Sequence, residues 1–432
     1  MNREMKHSGI EWIGNIPSDW RTDILSVLFY EHKLKNKGMA EQNLLSLSYG
    51  NIIRKDIAQS GGLLPESFET YNIVDKDDII FRLTDLQNDK RSLRTGLCKE
   101  RGIITSAYIA IRKRTNIHAP YFHYLFHTYD LCKVFYGLGD GVRQGMNYAD
   151  MRKLPLIIPS YEEQKAIADF LDKKCEEIDE LVALQEKIIE ELKSYKQSVI
   201  TETVCKGLNP NAPMKDSGVE WIGEIPEGWN LRYIKDVATF HNGDRGVNYP
   251  SGDDLVSDGI PFLTSNNLHQ LLLDIEKYTC KYITLDRYNI LGGVKIQLDD
   301  IIYCLRGSIG NCTLNKQITE GTVASSLMVI RPRYISPEYL NYYLHSHIVS
   351  AQTEVYMNGT CAANLSAENV SKFNIHIPPA EEQQEIADYL DKKCSEIDQL
   401  ISIKQQKVVE LKEYKKSLIY EYTTGKKEVA HA

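Results

Sequence analysis

"EEQKAIADFLDKKCEEID" at residues 162–179 returns as "EEQQEIADYLDKKCSEID" at residues 381–398, with 14 of 18 positions identical. A second pair of segments precedes them, because "SGIEWIGNIPSDW" at residues 8–20 matches "SGVEWIGEIPEGW" at residues 217–229 in nine of thirteen positions. The offsets of 219 and 209 residues are far longer than the period of a solenoid. The sequence therefore predicts one fold used twice, with the two copies related by a pseudo-twofold axis.

Each EEQ segment begins a long amphipathic pattern. Apolar residues recur with a mean step near 3.5 residues over 167–199 and again over 386–418, without Gly or Pro. This predicts helices over residues 161–206 and 380–424. Because one narrow apolar stripe does not stabilise so long a helix in water, we expect the two helices to pair as an antiparallel coiled coil. The residues expected to pack between them are Leu171, Ile178, Leu181, Leu192, Leu390, Ile397, Leu400 and Leu411.

The blocks between the repeated segments have mixed α/β character. The β-branched runs 103–111 and 323–330 predict strands, and Pro120 and Pro337 stand where helices can begin. We therefore expect an α/β mixed fold, with two globular domains separated by the two long antiparallel helices. The predicted parts are an N-terminal segment (1–19), a first globular domain (20–160), a central helix (161–206), a linker that repeats the N-terminal segment (207–228), a second globular domain (229–379), a distal helix (380–424) and a tail (425–432).

The composition limits the class of protein. With 432 residues, 42% of them hydrophobic, the chain exceeds one hydrophobic core. It has no run of about 18 apolar residues and no apolar leader, which favours a cytoplasmic protein with no membrane segment. Its nine cysteines are scattered without a CxxC pair, which indicates reduced thiols rather than a disulfide framework or a zinc site.

The net charge of −8 is unevenly distributed. Residues 21–150 carry 18 Lys and Arg against 15 Asp and Glu, whereas residues 162–206 carry 7 against 12. Because the acidity is concentrated in particular segments, it does not exclude a DNA partner.

The sequence lacks catalytic motifs. It has no GxxxxGK[ST] loop, and His123 and His127 have the spacing of a zinc pair without the glutamate of HExxH, so core or surface histidines are favoured. The carboxylate pairs at 77–78 and 299–300 could form an acid/base or metal site, but their place before an apolar strand favours turn residues. We therefore expect no catalytic residue, bound metal or cofactor in this chain.

Together, these motifs resemble one protein family. The two openers at 8–20 and 217–229, and the closers "IIPSYEEQKAIADFLDKK" and "HIPPAEEQQEIADYLDKK", closely resemble the specificity subunit of type I restriction-modification systems over nearly the whole chain. The resemblance implies a non-catalytic subunit whose two variable blocks are target recognition domains, each reading one half of a bipartite double-stranded DNA site. It also implies that the helices set the spacing of the halves.

The partners of the chain are implied by the same resemblance. The chain would dock two methylation subunits, which bind S-adenosylmethionine, and would assemble with restriction subunits, which use ATP and Mg²⁺. No cofactor would be bound by this chain itself.

Candidate DNA contacts are chosen by their chemistry. Arg and Lys donate to guanine or phosphate, and Asn and Gln pair with adenine. For each residue the alternative is a solvated surface charge or a turn former. The candidates in the first domain are Gln87, Asn88, Lys90, Arg91, Arg94, Arg143, Gln144 and Asn147. Those in the second domain are Arg245, Asn248, Asn266, Asn267, Arg306, Ser308 and Asn311.

Three questions remain open at this stage. The second block, residues 230–376, carries 12 basic against 14 acidic residues, so either its basic residues gather on one face or it relies on partner subunits for phosphate contacts. The openers, with Trp12 and Trp20, either anchor each domain on a shared frame or present the same surface to two methylation subunits. The acidic helices also allow a structural adaptor that binds proteins and does not read DNA, whereas nothing in the sequence supports a self-contained nuclease or methyltransferase.

Overall fold

The chain forms two compact units. Unit 1 consists of Met1–Gln185 and Gln406–Ala432, and unit 2 of Glu186–Gln405. The computed structural model describes residues 3–56, 67–84, 86, 93–136, 145–357 and 365–429. Each unit combines one variable block with segments of both long helices.

The described elements follow the chain in order. Those that begin in the first half are β1 (Met5–His7), β2 (Asn15–Pro17), β3 (Arg21–Ile24), α1 (Leu25–Leu28), β4 (Phe29–Glu31), β5 (Leu34–Lys35), β6 (Leu45–Ser48), β7 (Asn51–Arg54), β8 (Asn72–Val74), β9 (Ile79–Phe81), β10 (Thr95–Leu97), β11 (Gly102–Ile104), β12 (Ile109–Lys113), α2 (Ala119–Leu131), α3 (Tyr148–Met151), β13 (Pro155–Ile158) and α4 (Tyr161–Lys206). Those of the second half are β14 (Met214–Asp216), β15 (Glu224–Pro226), β16 (Asn230–Tyr233), β17 (Ala238–Asn242), β18 (Leu255–Val256), β19 (Ile260–Leu263), β20 (Lys281–Ile283), α5 (Leu285–Ile290), β21 (Ile301–Cys304), β22 (Cys312–Leu314), β23 (Thr322–Val323), β24 (Leu327–Pro332), α6 (Pro337–Leu344), α7 (His347–Met357), α8 (Ala367–Ser371), β25 (Asn374–Ile377) and α9 (Ala380–Thr423).

The main sheet has the same strand order in both units. The order is β10-β9-β12-β4 in unit 1 and β22-β21-β24-β17 in unit 2. The registers also correspond, since Ile111 pairs with Glu31 in unit 1 and Ile330 pairs with Phe240 in unit 2. The internal repeat and the mixed α/β class predicted from the sequence are confirmed by this agreement.

The apolar runs 103–111 and 323–330 each form two strands, not the single strand that we predicted. In unit 1 a turn closed by Tyr108 N–H to Thr105 O, 3.1 Å, separates β11 from β12. In unit 2 the matching turn, Leu327 N–H to Ala324 O, 2.9 Å, separates β23 from β24. The serines inside these turns interrupt the apolar pattern, and the two strands of each run join different sheets.

The Trp and Glu of the repeated motifs bond to each other in both units. Trp20 is 1% exposed, and its Nε1–H donates to Glu163 Oε2 at 2.9 Å. Trp229 is likewise 1% exposed and donates to Glu382 Oε2 at 2.9 Å. The second glutamate of each EEQ therefore satisfies the one polar atom of a buried indole, which favours the first of the two alternatives for the openers, an anchor within each unit.

The glutamine of each EEQ joins two further segments. Gln164 accepts the backbone N–H of His118, the residue before α2, at 2.9 Å and donates to Pro159 O at 2.9 Å. Gln383 repeats this pattern with Ser336 N–H at 2.8 Å and Pro378 O at 2.9 Å. Both glutamines are buried, so the motif fastens a domain helix to the start of a long helix.

Each variable block also holds the end of the long helix that follows the other block. In unit 1 the buried Tyr121 donates its hydroxyl to Thr423 O at 2.9 Å, near the end of α9. In unit 2 the buried Tyr339 donates to Val204 O at 3.2 Å, near the end of α4. Thr423 and Val204 are 219 residues apart, which is the offset of the repeat.

The long helices, α4 and α9, cover the ranges predicted for them and run antiparallel within each unit. In unit 1 Phe170 stacks near Tyr422 with ring centroids 4.5 Å apart, and Asp179 pairs with Lys415 at 2.6 Å. In unit 2 Lys196 pairs with Asp398 at 2.6 Å. Ion pairs at the protein surface contribute little to stability, so these contacts mark the antiparallel arrangement and are not its main source of free energy.

The buried row of the helices, here called the seam, differs at two positions from the row that we predicted. Leu171, Ile178, Leu390 and Ile397 are buried, and Leu192 and Leu411 are partly buried, but Leu181 and Leu400 are each 47% exposed. The seam continues instead through the buried Val182 and the partly buried Ile401. The physical reason is that steps of four and three residues alternate along a seam. The step that reaches 178 or 397 is one of three residues, so the next seam residue lies four positions further on. A second step of three reaches 181 or 400, which lie off the buried face.

The seam predicts that the same substitution at two neighbouring residues changes the stability by very different amounts. Val182→Asp places a charge in the seam, so we expect it to lower the free energy of unfolding by roughly 3 kcal/mol. Leu181→Asp adds the same charge on the exposed side, where we expect a change of about 0.5 kcal/mol or less. Urea unfolding of both variants, followed by circular dichroism, measures the difference; equal losses would contradict the assigned seam.

The Trp229–Glu382 bond predicts a second stability difference. Glu382→Ala leaves a buried indole N–H without its acceptor, which we expect to cost about 1 to 3 kcal/mol. Glu382→Gln keeps an oxygen acceptor and should retain most of that stability, and Glu381→Ala, at the exposed neighbour, is the charge-matched control. If thermal unfolding gives the same midpoint for Glu382→Ala and Glu381→Ala, the bond has no stabilising role.

Candidate nucleic-acid interface

Most candidate DNA contacts of the first domain fall where the structure gives no description. Gln87, Asn88, Lys90, Arg91, Arg143 and Gln144 lie outside the described residues. They therefore stay predictions, and the candidates of this domain within the described residues are Arg94 and Asn147.

Arg94 is not a surface residue, so its prediction as a DNA contact is wrong. Its side chain is 0% exposed, and Nη1 donates to Thr84 O at 3.2 Å. Its backbone N–H donates to the buried Asp130 Oδ2 at 2.5 Å. Arg94 directly precedes β10, and its side chain lies in the interior of the unit. We had assigned it to the exposed polar loop before this strand.

Asn147 acts as the turn former that we had kept as the alternative. Its Oδ1 accepts the N–H groups of Ala149 at 2.7 Å and Asp150 at 3.3 Å, and Asp150 Oδ2 accepts the N–H of Asn147 at 2.8 Å. This is a capping box at the start of α3. Asn147 is exposed, but its oxygen is engaged, so it cannot make the two-bond pairing with adenine.

In unit 2 four loops meet at one edge of the domain, here called the loop edge. The loops are 243–250 after β17, 264–268 after β19, 305–311 between β21 and β22, and 324–326 between β23 and β24. Backbone bonds join them: Gly243 N–H to Leu327 O at 3.3 Å, Leu305 N–H to Ser326 O at 2.9 Å and Ala324 N–H to Leu263 O at 2.8 Å. The fold thus brings together residues that are far apart in the sequence.

The loop edge carries two exposed arginines. Arg245 donates from Nε to Ser325 O at 3.2 Å, and Arg306 lies in the turn between β21 and β22. Ser308 and Asn311 are exposed in the same turn, and Asn311 Nδ2 is 3.5 Å from Leu268 O. Side chains of these types can donate hydrogen bonds to guanine or phosphate, and the role of these residues as DNA contacts stays a prediction.

The asparagines of the other two loops differ in exposure. Asn266 is exposed, but Asn267 is 2% exposed, and its Oδ1 accepts the N–H of Thr264 at 2.9 Å. The prediction of Asn267 as a DNA contact is therefore wrong, because its side chain caps its own loop. Asn248 is half-buried and donates from Nδ2 to Ile290 O at 3.2 Å, which leaves its oxygen for another partner.

The sequence reasoning missed the serines at the centre of the loop edge. Ser325 supplies the carbonyl that holds Arg245, and Ser326 supplies the one that holds Leu305. Two adjacent polar residues inside the apolar run 323–330 were the signal that could have identified this turn.

Asp244 brings a negative charge to the loop edge, but its oxygens face the backbone. Oδ1 accepts Gly246 N–H at 2.6 Å, and Oδ2 accepts Gly292 N–H at 2.9 Å. These two backbone bonds hold the pKa of Asp244 below its usual value. The carboxylate therefore fixes the shape of the 243–250 loop.

The carboxylate pairs before the apolar strands have a structural role. Asp78 is 1% exposed and accepts Nε and Nη2 of Arg112, both at 2.7 Å. Asp300 is 0% exposed and accepts Nε and Nη2 of Arg331 at 2.7 and 2.8 Å. In each case the bond to the aspartate raises the pKa of the arginine.

The residues before these two aspartates have the backbone of a tight turn. Asp77 has φ 71° and Asp299 has φ 67°, in the left-handed region that short polar side chains tolerate. The turn interpretation is confirmed, and a carboxylate held by two guanidinium bonds is a poor general base.

His123 and His127, which have the spacing of a zinc pair, are neutral in the structure. Burial lowers the pKa of His123 to about 3 and that of His127 to about 4, and both side chains are partly buried. Within the described ranges no cluster of three His, Cys, Asp or Glu side chains could hold a metal ion.

A cavity of about 630 Å³ adjoins the loop edge at Leu268 and Asn311. In it Cys312 Sγ lies 3.5 Å from His345 Nδ1. Burial raises the pKa of Cys312 and lowers that of His345. The pair is therefore a thiol beside a neutral imidazole, which is not an activated nucleophile.

Comparisons of the sequence point to one family. The chain matches the type I restriction modification DNA specificity domain at residues 35–194 and 226–413. It is 25% identical over 447 aligned positions to the putative type I restriction enzyme MjaX specificity subunit of Methanocaldococcus jannaschii, covering 96% of this chain and 95% of that protein. It is also 25% identical over 339 positions to the MjaVIII specificity subunit of the same organism, covering 76% and 75%.

Two solved structures share the fold. A chain from a study of complex assembly and conformational transition of the type I R-M system superposes with a TM-score of 0.71 at 16% identity, covering 95% of this chain and 99% of that one. The HsdS subunit from Thermoanaerobacter tengcongensis gives 0.53 at 16% identity, covering 95% and 98%. None of the helices described for this chain is long and apolar enough to cross a membrane.

The two matched segments fall on the two copies of the repeat and together cover well over half of the 432 residues. Because this match extends over more than half of the chain, the chain belongs to the family of type I restriction-modification specificity subunits.

Proposed function

We propose that this chain selects the DNA site of a type I restriction-modification complex by reading a bipartite duplex, one half with each variable block. The observation that carries the proposal is the loop edge of unit 2, where Arg245 and Arg306 are exposed beside polar side chains. An edge of this kind supplies both the charge and the hydrogen-bond donors that duplex DNA requires. It also favours one of the alternatives left open for the second block, in which basic residues gather on one face although the block as a whole is slightly acidic.

The repeated framework supports a role in spacing. The same main sheet and the same Trp–Glu anchor occur in both units, and a repeated scaffold suits a site made of two halves. We propose that α4 and α9 form a coiled coil that sets the distance between the halves.

The exposed faces of the long helices support docking of two methylation subunits. Apolar residues outside the seam recur at the repeat offset, with exposures of 47 to 62%. They are Leu181, Leu184 and Tyr195 on α4, and Leu400, Ile403 and Tyr414 on α9. Exposed apolar rows repeated in both helices fit two identical partners.

In this proposal the chain has no catalytic role of its own. The methylation subunits bring S-adenosylmethionine, and the restriction subunits bring ATP and Mg²⁺. Its contribution is to bind and orient the duplex while a partner takes the target base out of the stack.

The DNA-reading role predicts sequence discrimination by the assembled complex. Methylation sequencing of a host with and without the gene identifies the motif. We then expect a duplex with that motif to bind roughly 10³-fold or more tightly than a scrambled duplex, and the affinity to fall as salt rises. Fluorescence anisotropy at several salt concentrations measures both. Equal binding to the two duplexes would refute DNA reading and favour the structural adaptor.

The docking role predicts a loss of partner binding without a loss of stability. Leu184→Asp combined with Ile403→Asp should weaken binding of the methylation subunit at least about tenfold, because a charge is then desolvated in each interface. The matched control is Ser194→Asp with Gln405→Asp, which adds the same charges at exposed polar positions of the same helices. Isothermal titration and thermal unfolding of both double variants test it; unchanged binding by the first variant would place docking elsewhere.

A further inference from the structure

We propose that Arg306 reads a guanine in the major groove of the half-site bound by unit 2, and that Arg245 contacts a phosphate of the same half-site. This inference rests on the DNA-reading function proposed above and adds to it a division of roles between the two arginines of the loop edge. Four observations lead to it: the fixed backbone at Arg306, its unengaged guanidinium, the small size of the surrounding turn and the charge of the block.

The backbone next to Arg306 is held from three sides. Leu305 is 1% exposed, its N–H donates to Ser326 O at 2.9 Å, and its carbonyl accepts Leu365 N–H at 3.1 Å. The turn itself is closed by Cys304 N–H to Asn311 O at 2.8 Å. Arg306 thus projects an exposed side chain from a rigid base, which lowers the entropy lost on binding.

Arg306 differs from Arg287 and Arg331, two other arginines of unit 2, in the state of its guanidinium. Arg287 pairs with Asp254 at 2.8 Å, and Arg331 pairs with Asp300 at 2.7 Å. Across residues 186–357 and 365–405, the described part of this unit, Arg306 has neither a hydrogen bond nor an ion pair through its side chain. None of its five donors is engaged by these described residues, so the guanidinium can present the two-donor edge that matches guanine O6 and N7.

Arg245 keeps only part of that capacity. Its Nε–H is committed to Ser325 O, so the edge formed by Nε and Nη is occupied, and the terminal pair of nitrogens remains. A guanidinium tethered at Nε in this way retains a two-nitrogen face for a phosphate oxygen pair. The tether also fixes where that charge lies relative to the turn that carries Arg306.

The turn around Arg306 is small enough to enter a groove. Gly307 has φ +83° and Gly310 has φ +87°, a conformation that glycine adopts without strain. A Cβ at Gly307 would meet nothing within 4 Å, so this part of the turn stands clear of the domain. With Ser308 next, Arg306 is the one long side chain in the stretch 306–308.

The charge of the block also favours base contacts. With 12 basic against 14 acidic residues in 230–376, non-specific attraction to phosphate is weak. Discrimination by this half must then come from a few well-placed pairs, each worth about 1 to 3 kcal/mol.

The test uses the full chain assembled with its methylation subunit and duplexes that carry the motif found by methylation sequencing. The variants are Arg306→Ala, Arg306→Lys, Arg245→Ala and, as a charge-matched control, Arg232→Ala at an exposed arginine of β16. Each is titrated against the matched duplex, against duplexes with one changed base pair, and against duplexes in which 7-deazaguanine, which lacks N7, replaces one guanine.

For Arg306→Ala we expect about 5- to 150-fold weaker binding to the matched duplex and loss of discrimination at one G·C pair. The other half of the motif should remain fully discriminated. At that G·C pair 7-deazaguanine should weaken the wild-type complex but have no further effect on Arg306→Ala. For Arg245→Ala we expect uniform weakening over all sequences, with the slope of log affinity against log salt reduced by about one.

Several results would overturn the assignment. They are a uniform loss with a reduced salt slope for Arg306→Ala, unchanged binding of that variant, additive effects of the variant and 7-deazaguanine, or a half-site of unit 2 without any G·C pair. If the wild-type complex still discriminates its bipartite motif, these outcomes reject the role of Arg306 alone. If the wild-type complex does not discriminate, the proposed function itself fails.

Discussion

The need to cover one apolar stripe on each of two long helices is the constraint on which this structure depends. α4 has 46 residues and α9 has 44, and each is too polar around most of its circumference to persist alone in water. Their buried residues follow steps of four and three, and in each unit segments of both helices lie antiparallel beside a variable block. In unit 2, Ile200 and Val204 of α4 share one apolar core with Leu390 and Cys394 of α9 and with the strands of the block. In this unit the helices and the sheets therefore stabilise one another through a shared core.

Several residues that are identical in the two copies hold the helices and the strands together. The second glutamate of EEQ accepts from a buried indole, the glutamine bridges two segments, and the aspartate before the apolar strand binds an arginine of the neighbouring strand. Each of these groups makes a hydrogen bond inside the protein. Residues that differ between the copies include those at the loop edge, where Arg306 and Arg245 are exposed. Duplication thus preserved the scaffold, while the exposed loops diverged.

Sequence reasoning succeeded where the signal was periodic and failed where a side chain bonded to its own loop. The range of α4 followed directly from the absence of Gly and Pro and from the apolar repeat. Leu181 and Leu400 were misplaced because a mean step near 3.5 does not distinguish steps of four from steps of three. Arg94 and Asn267 were chosen as DNA contacts because of their chemistry, yet one is drawn into the interior beside a strand and the other caps its loop. Polarity alone does not distinguish a side chain that is available to bind a ligand from one whose hydrogen bonds are already made within the protein.

By itself the sequence determined that the fold occurs twice and that two long helices follow the variable blocks, and its motifs resemble those of type I specificity subunits. The repeat and the helices are properties of order and period along the chain, which a linear sequence records in full. Only the tertiary structure decided which apolar residues form the seam, which polar residues remain exposed, and that loops as distant as 243–250 and 324–326 share one edge. Burial and exposure depend on what covers a residue, and in this chain the covering segments lie tens to hundreds of positions away.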